Sequence, residues 1–384
     1  MRGAMTNINL KQEGEIVVNG KKSLRQKLAD FWSKKRNRVI VIIYIIVIIL
    51  VALAVGFYFL IFKNDTSVLN LNINKTEEKP ALYASLLDGT MVNSEDANRH
   101  PLGVMVENHV DARPQSGLSQ TSIVYEAIAE GGITRFLAVF GPKGAETVGP
   151  VRSARTYYVD WIRELNGYYA HVGGNYDALQ LIKSVGILDL DQFSNPSAYW
   201  RDRSRKVASE HTMYTNTSKL YGVASDKKYT TANTFVPYTF KTEPEADKIV
   251  PTYQTISVNF GNANYNVVYN YNQSSNSYLR SLAGKPHIDA LNNHQLATKN
   301  IVIQAVNWRP TVTAINEHGY IIDTVGSGTA TVFQDGNKIE ATWKKDNENS
   351  RTRFYDKKTG AEIQFNPGQT WIEIIPPDQS FVSS

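Results

Sequence analysis

Residues 39–62 read VIVIIYIIVIILVALAVGFYFLIF, 24 consecutive positions without a charge, a proline or an asparagine. At 1.5 Å per residue this run makes a helix of roughly 36 Å, long enough to cross the hydrocarbon core of a bilayer. The segment is therefore expected to be a membrane span, and the rest of the chain must fold on either side of it. A secretory signal has an apolar core of about 7–15 residues that ends at a small-residue cleavage site. Here the run continues past Ala52-Leu53-Ala54 into Phe57-Tyr58-Phe59, which argues for a retained anchor. Ten Lys and Arg precede residue 39 against three Asp and Glu, with Lys34, Lys35, Arg36 and Arg38 next to the run. Positive charge of this kind stays in the cytoplasm, so the body is expected on the extracytoplasmic side.

Charge narrows the partners. The chain carries 41 basic and 36 acidic residues. Taking away the ten and three of the tail leaves 31 and 33 beyond residue 62, so the body is close to neutral and no nucleic-acid partner is expected. There is no cysteine, which excludes disulfides, thiolate catalysis and Cys-ligated zinc. A body of this size must hold together through its core, and at 42% hydrophobic residues it has the means.

Composition suggests seven segments. Residues 1–38 are a basic cytoplasmic tail, in which Leu24, Leu28, Phe31 and Trp32 fall at helical spacing and fit a helix lying on anionic headgroups. Residues 39–62 span the membrane, and 63–80 form a polar linker. From 81 to 224 strands and helices alternate, which predicts an α+β domain of mixed sheets with helices packed on them. Residues 225–249 are a connector rich in Lys, Thr and Pro, 250–377 form a β-rich second domain, and 378–384 are a tail. Asp335-Gly336 and Thr359-Gly360 supply hairpin turns in the second domain.

The segment SIVYEAIAEGGITRFLAVF, residues 122–140, has two strand-like runs joined by Gly131-Gly132, the chemistry of a two-residue primed turn. An unbroken ladder from that turn sets Glu130 opposite Ile133, Ile128 opposite Arg135 and Glu126 opposite Leu137. Arg135 would then have Glu126 and Glu130 as diagonal neighbours on one face. Downstream, GPVRSARTYYVDW at 149–161 places Arg152 and Arg155 where a helix is expected to start, with Ser153 as its N-cap and Ala154, Tyr157, Tyr158, Trp161, Ile162 and Leu165 as its apolar stripe. Two cations at the positive end of a helix dipole call for an acidic partner, either internal glutamates or a bound anion. The loop VENHVDARPQSGL at 106–118 adds Glu107, Asn108, His109, Asp111 and Arg113; YAHVGGN adds His171; WRDRSRKVASEH adds Trp200, Arg201 and His211. No zinc-protease, Gly-x-Ser-x-Gly or phosphate-loop motif is present, and neither a metal nor a cofactor is expected.

These stretches, with YLRSLAGKPHID, NIVIQAV and GSGTATVFQDGNKIEATW further on, resemble the YerB-like family of bacterial envelope lipoproteins over about residues 85–377. The resemblance implies a two-part extracytoplasmic body without a settled activity. It places the family's motif positions at Glu107, Asn108, Arg113, Pro114, Glu126, Glu130, Gly131, Gly132, Arg135, Arg152, Arg155, His171, Trp200 and Arg201. This chain departs from the pattern by carrying a membrane helix where such proteins carry a lipid-attachment cysteine, and by reading SEHTMY around His211.

The sequence thus favours a membrane-anchored binding module over an enzyme. Its expected ligand is a cell-wall glycan, a peptidoglycan fragment or an envelope protein, held in a cleft formed by Glu107, Asn108, Arg113, Glu126, Glu130, Arg135, Arg152, Arg155, His171, Trp200 and Arg201. A hydrolase of envelope polysaccharide with Glu126 or Glu130 as acid/base is the rival. A third reading makes the charged set a buried network that fixes the fold.

Overall fold

The structure, a computed structural model, describes residues 23–63 and 81–384. The start of the basic tail (1–22) and most of the linker (64–80) lie outside the described residues. Two units are distinct: the N-terminal helices, and a body beginning at Lys79.

In the first unit α1 is Leu24–Ser33 and α2 is Lys35–Lys63. Ser23 opens α1 with a reciprocal capping box, its hydroxyl accepting from Gln26 N and Gln26 Oε1 accepting from Ser23 N. Leu24, Leu28, Phe31 and Trp32 are exposed. The stretch Lys35–Tyr58 of α2 is, by length and composition, a candidate membrane span.

The strands that build the body are β1 (Leu102–Glu107), β2 (Ile123–Glu130), β3 (Ile133–Phe140), β4 (Tyr168–Ala170), β5 (Leu188–Asp189), β6 (Thr255–Val258), β7 (Val267–Asn272), β8 (Ser277–Leu282), β9 (Lys285–Pro286), β10 (Asn300–Ala305), β11 (Gly326–Gln334), β12 (Asn337–Lys345), β13 (Arg353–Asp356), β14 (Thr370–Ile375) and β15 (Phe381–Ser383). The longer helices of the body are α3 (Thr156–Arg163), α4 (Tyr176–Val185) and α5 (Thr217–Asp226). A ten-stranded sheet runs in the order β13-β12-β11-β10-β14-β2-β3-β1-β4-β5. It crosses from one half of the chain to the other where β14 lies parallel to β2, with Glu373 beside Glu126. A second sheet has the order β9-β8-β7-β6-β15. The architecture is α+β with a strand-rich second half, as expected.

The large sheet is covered on both faces. On one, Tyr157, Tyr158, Trp161 and Ile162 of α3 pack with Tyr125, Leu137 and Val139. On the other, Val124, Phe136 and Ala138 join Ile256, Val258, Tyr269 and Tyr278 of the second sheet and Leu220 of α5. This explains why β1, β2 and β3 read as nearly continuous apolar runs and are buried almost throughout.

Three local expectations change. The Gly131-Gly132 turn is as read, with positive φ at both glycines and Glu130 opposite Ile133. A β-bulge between Ile128 and Glu130 then shifts the ladder by one, so Arg135 lies opposite Ala127 and Glu126 opposite Phe136. Because strand side chains alternate, that single residue sends Glu126 and Arg135 to opposite faces of the sheet, so Glu126 drops out of the predicted Glu126-Arg135-Glu130 cluster while the Arg135–Glu130 pair forms. Nor is the face that bears Glu126 solvated; it is core. The helix also starts later than Ser153: α3 begins at Thr156 with Arg155 in the N-cap position and no side-chain cap. Residues 151–154 are held extended instead, Arg152 N donating to Met105 O and Ala154 N to Gly173 O, and these strand-type bonds take up the backbone that a cap would have organised.

Candidate functional site

Both arginines of the 149–161 stretch hold internal carboxylates. Arg152 Nε lies 3.1 Å from Glu107 Oε1 at the end of β1, an ion pair without hydrogen-bond alignment, and its second nitrogen donates to Glu210 Oε1 at 3.0 Å. Arg155 pairs with Glu130, whose other oxygen accepts from Arg135 at 3.1 Å. Arg135 also donates to Ser153 O at 2.7 Å. Burial works to raise the Glu130 carboxyl, but Arg135 and Arg155, with Arg152 further off, hold it below its ordinary range. These groups make one polar strip at the ends of β1, β2 and β3, in which three guanidiniums balance three carboxylates.

Glu126 belongs elsewhere. It is fully buried between the two sheets, paired with Arg280 of β8 and accepting from Asn108 Nδ2 at 3.2 Å and Thr134 Oγ1 at 2.6 Å. Arg280 lies flat over Trp371, 4.2 Å from the ring centre, and donates to His287 Nδ1 and to Tyr269 Oη. Burial first, and then the neighbouring Glu126, push the Glu373 carboxyl well above its usual range, so the two adjacent acids face the single Arg280 with one of them protonated. A carboxylate so enclosed has no access to a polysaccharide, which removes Glu126 as an acid/base; Glu130 is clamped by two arginines.

The remaining candidates do not converge on this strip. Asn108 is buried beside Glu126 and Gln115. His171 is fully buried, bonded to Gly173 O at 2.7 Å and Asp189 Oδ1 at 3.0 Å, a ring that ties β4 to β5. Trp200 stacks on Tyr214 and receives Lys219 Nζ 4.9 Å above its ring, and exposed Arg201 donates to Ser209 O. Arg113 donates to Asn108 O and Asn264 O and lies 5.2 Å over Tyr265.

Arg113 borders a cleft of about 680 Å³, where the first half contributes Val110, Arg113 and Pro114 and the second contributes Asn264, Leu282, Lys285, His287 and Ile288. Its walls are mainly apolar with Arg113 and Lys285 as charges, and buried His287 lies at its inner side. Burial, then Arg280 and Arg113, keep the His287 imidazole well below its ordinary pKa and so neutral. Arg280, Lys285 and His287 were not among the sequence candidates. One signal was available: in Tyr278-Leu279-Arg280-Ser281-Leu282 the arginine occupies the inward register, where a charge needs a buried partner.

Comparison with known proteins agrees with the residues on which the resemblance rested. Residues 87–230 match the family described as protein of unknown function (DUF3048) N-terminal domain, and 256–372 its C-terminal domain. The chain is 35% identical over 298 residues to the Bacillus subtilis (strain 168) protein named "Putative lipoprotein YerB", covering 76% of this chain and 85% of that protein. It superposes on the crystal structure of YerB protein from Bacillus subtilis with a TM-score of 0.67 and 32% identity, over 78% of this chain and 99% of that one. Sequence, order of halves and fold agree, and the chain belongs to the YerB-like family of unknown function.

Proposed function

We propose that this protein is an envelope binding module, anchored in the membrane by residues 39–62 with its N-terminus in the cytoplasm, whose body takes a cell-wall glycan or peptide fragment outside the membrane. The observation that carries the reading is the cleft between the halves. It is large enough for a sugar-sized ligand, its apolar walls suit the faces of pyranose rings, and Arg113 and Lys285 at its edge suit a carboxylate on the same ligand. The relative's name as a lipoprotein supports an envelope location, which the apolar helix provides here without a cysteine. Arg152 and Arg155, each already paired with an internal glutamate, rank second as ligand groups.

The test is co-sedimentation of the full chain in detergent micelles with purified cell-wall sacculi. Lys285 and Val110 are exposed, so Lys285→Glu and Val110→Asp leave the fold intact. Retention of the wild type, with a loss of fivefold or more (on the order of the ~1 kcal/mol of one charged contact) in each variant, is the expected result. Equal retention of wild type, both variants and an Arg152→Ala/Arg155→Ala chain would remove the assignment.

A further inference from the structure

Beside the strip, two loops distant in sequence bring two imidazoles and a carboxylate together. The His109 and His211 rings are stacked, 4.7 Å between centres and 5° from parallel. One ligand atom from each of His109, Asp111 and His211 lies within 4.8 Å of the others. His211 is buried, His109 half-buried and Asp111 exposed, so the group opens to solvent on one side.

One of the two rings is already oriented. His211 Nδ1 lies 2.9 Å from Glu107 Oε2 and donates to it, which turns Nε2 to the other side, 3.9 Å from Glu210 Oε1. Glu107 is itself held by Arg152. A carboxylate behind a histidine is the arrangement by which metal sites fix tautomer and ring orientation. His109 Nδ1 accepts from Asp111 N at a long 3.3 Å and stands 3.6 Å from Asp111 Oδ2, so this weak bond gives way if Nδ1 ligates. Arg205 donates to the carbonyls of Asp111 and Arg113, which pins the loop.

We propose that His109, Asp111 and His211 bind a divalent transition-metal ion of the zinc class, with Glu107 as the group that positions His211 and Glu210 placed to supply a further oxygen. Two imidazoles and a carboxylate match zinc better than magnesium or calcium, which select all-oxygen sites. Tetrahedral bonds of about 2.0–2.1 Å set ligand atoms about 3.4 Å apart. Closure from a spacing of up to 4.8 Å takes up to about 1.4 Å and turns the half-buried His109 ring out of its stack on His211, since lone pairs in two parallel ring planes do not converge; the exposed Asp111 follows by rotation. The fourth position, where Glu210 does not fill it, would take water or an outside donor. This inference does not rest on a wall ligand, although the site shares the 109–114 loop with the cleft, and it departs from the sequence-based expectation of no metal: His109 and Asp111 are separated from His211 by about a hundred residues, a spacing that matches no zinc motif.

The test uses the full chain in detergent micelles, stripped with a chelator and titrated with cobalt(II), with zinc(II) as competitor. One equivalent of cobalt with visible d–d absorption, displaced by zinc, is expected. His109→Ala and Asp111→Ala, at accessible positions, should each weaken binding at least tenfold, and Glu107→Gln by about 10–100-fold. His294→Ala, at an exposed site elsewhere, should change nothing. Wild-type binding no tighter than that of a His109→Ala/Asp111→Ala chain would overturn the proposal, as would Glu107→Gln binding at wild-type strength with His211→Ala folded and equally competent. Wall binding is not read in this experiment, so its outcome is separate from that of the sedimentation test.

Discussion

Glu164 offers the sharpest test of how the two halves are joined. It ends α3, where a carboxylate opposes the helix dipole, and it is fully buried. Lys345 Nζ donates to it at 3.1 Å, Arg351 pairs with its other oxygen, and Tyr125 Oη, Thr352 Oγ1 and Thr352 N donate at 2.7, 2.7 and 3.1 Å. Burial acts to raise this carboxyl, but Lys345 and Arg351 prevail and hold it at about 2, against an ordinary 4.5. At 1.36 kcal/mol per unit the ionised form gains about 3 kcal/mol on folding. Because the folded value is depressed, this contribution is complete above about pH 4.5 and is lost as pH falls toward 2. Glu164→Gln removes the charge and leaves two buried cations unpaired, so a loss of about 3–5 kcal/mol is expected at neutral pH. Urea unfolding at pH 7, followed by a pH series, measures both quantities. The variant should lack the wild type's loss between pH 4.5 and 2. A cost below about 1 kcal/mol, or an unchanged acid limb, would refute the reasoning.

Two further outcomes follow from the inter-sheet network. Arg280→Met should cost about 3–5 kcal/mol because the buried Glu126 loses its cation, and adding Glu126→Gln should restore much of it; a urea-based double-mutant cycle with no coupling would contradict this. His287, whose folded pKa lies well below 6.5, contributes stability that is complete above that value and lost as pH falls through the folded one. Thermal melts across mildly acidic pH should therefore fall more steeply for the wild type than for His287→Gln, and equal slopes would exclude burial of the neutral ring as the cause.

Some of this was legible in the residues. The 24-position apolar run defines a helix by length alone, and the Gly131-Gly132 and Asp335-Gly336 pairs define their turns because few other residues accept two positive φ angles. That Arg155 would meet an internal carboxylate was also foreseeable, since the turn fixes Glu130 at the end of its strand. The bulge was not. An extra residue between Ile128 and Glu130 leaves no mark in the apolar pattern when both faces are buried, yet it decides which side of the sheet Glu126 occupies.

The sequence by itself determined the local conformations, the apolar helix and the need of buried-register charges such as Arg280 for partners, because these depend on neighbours along the chain and on the cost of burying charge. Only the tertiary structure decided who the partners are. Glu126 meets Arg280 across 154 residues, Glu164 meets Lys345 and Arg351 across more, and His211 reaches His109 and Glu107 through loops that no spacing connects. Pairing of this kind is set by how the sheets stack and which face each strand presents, and a one-residue change of register reassigns it.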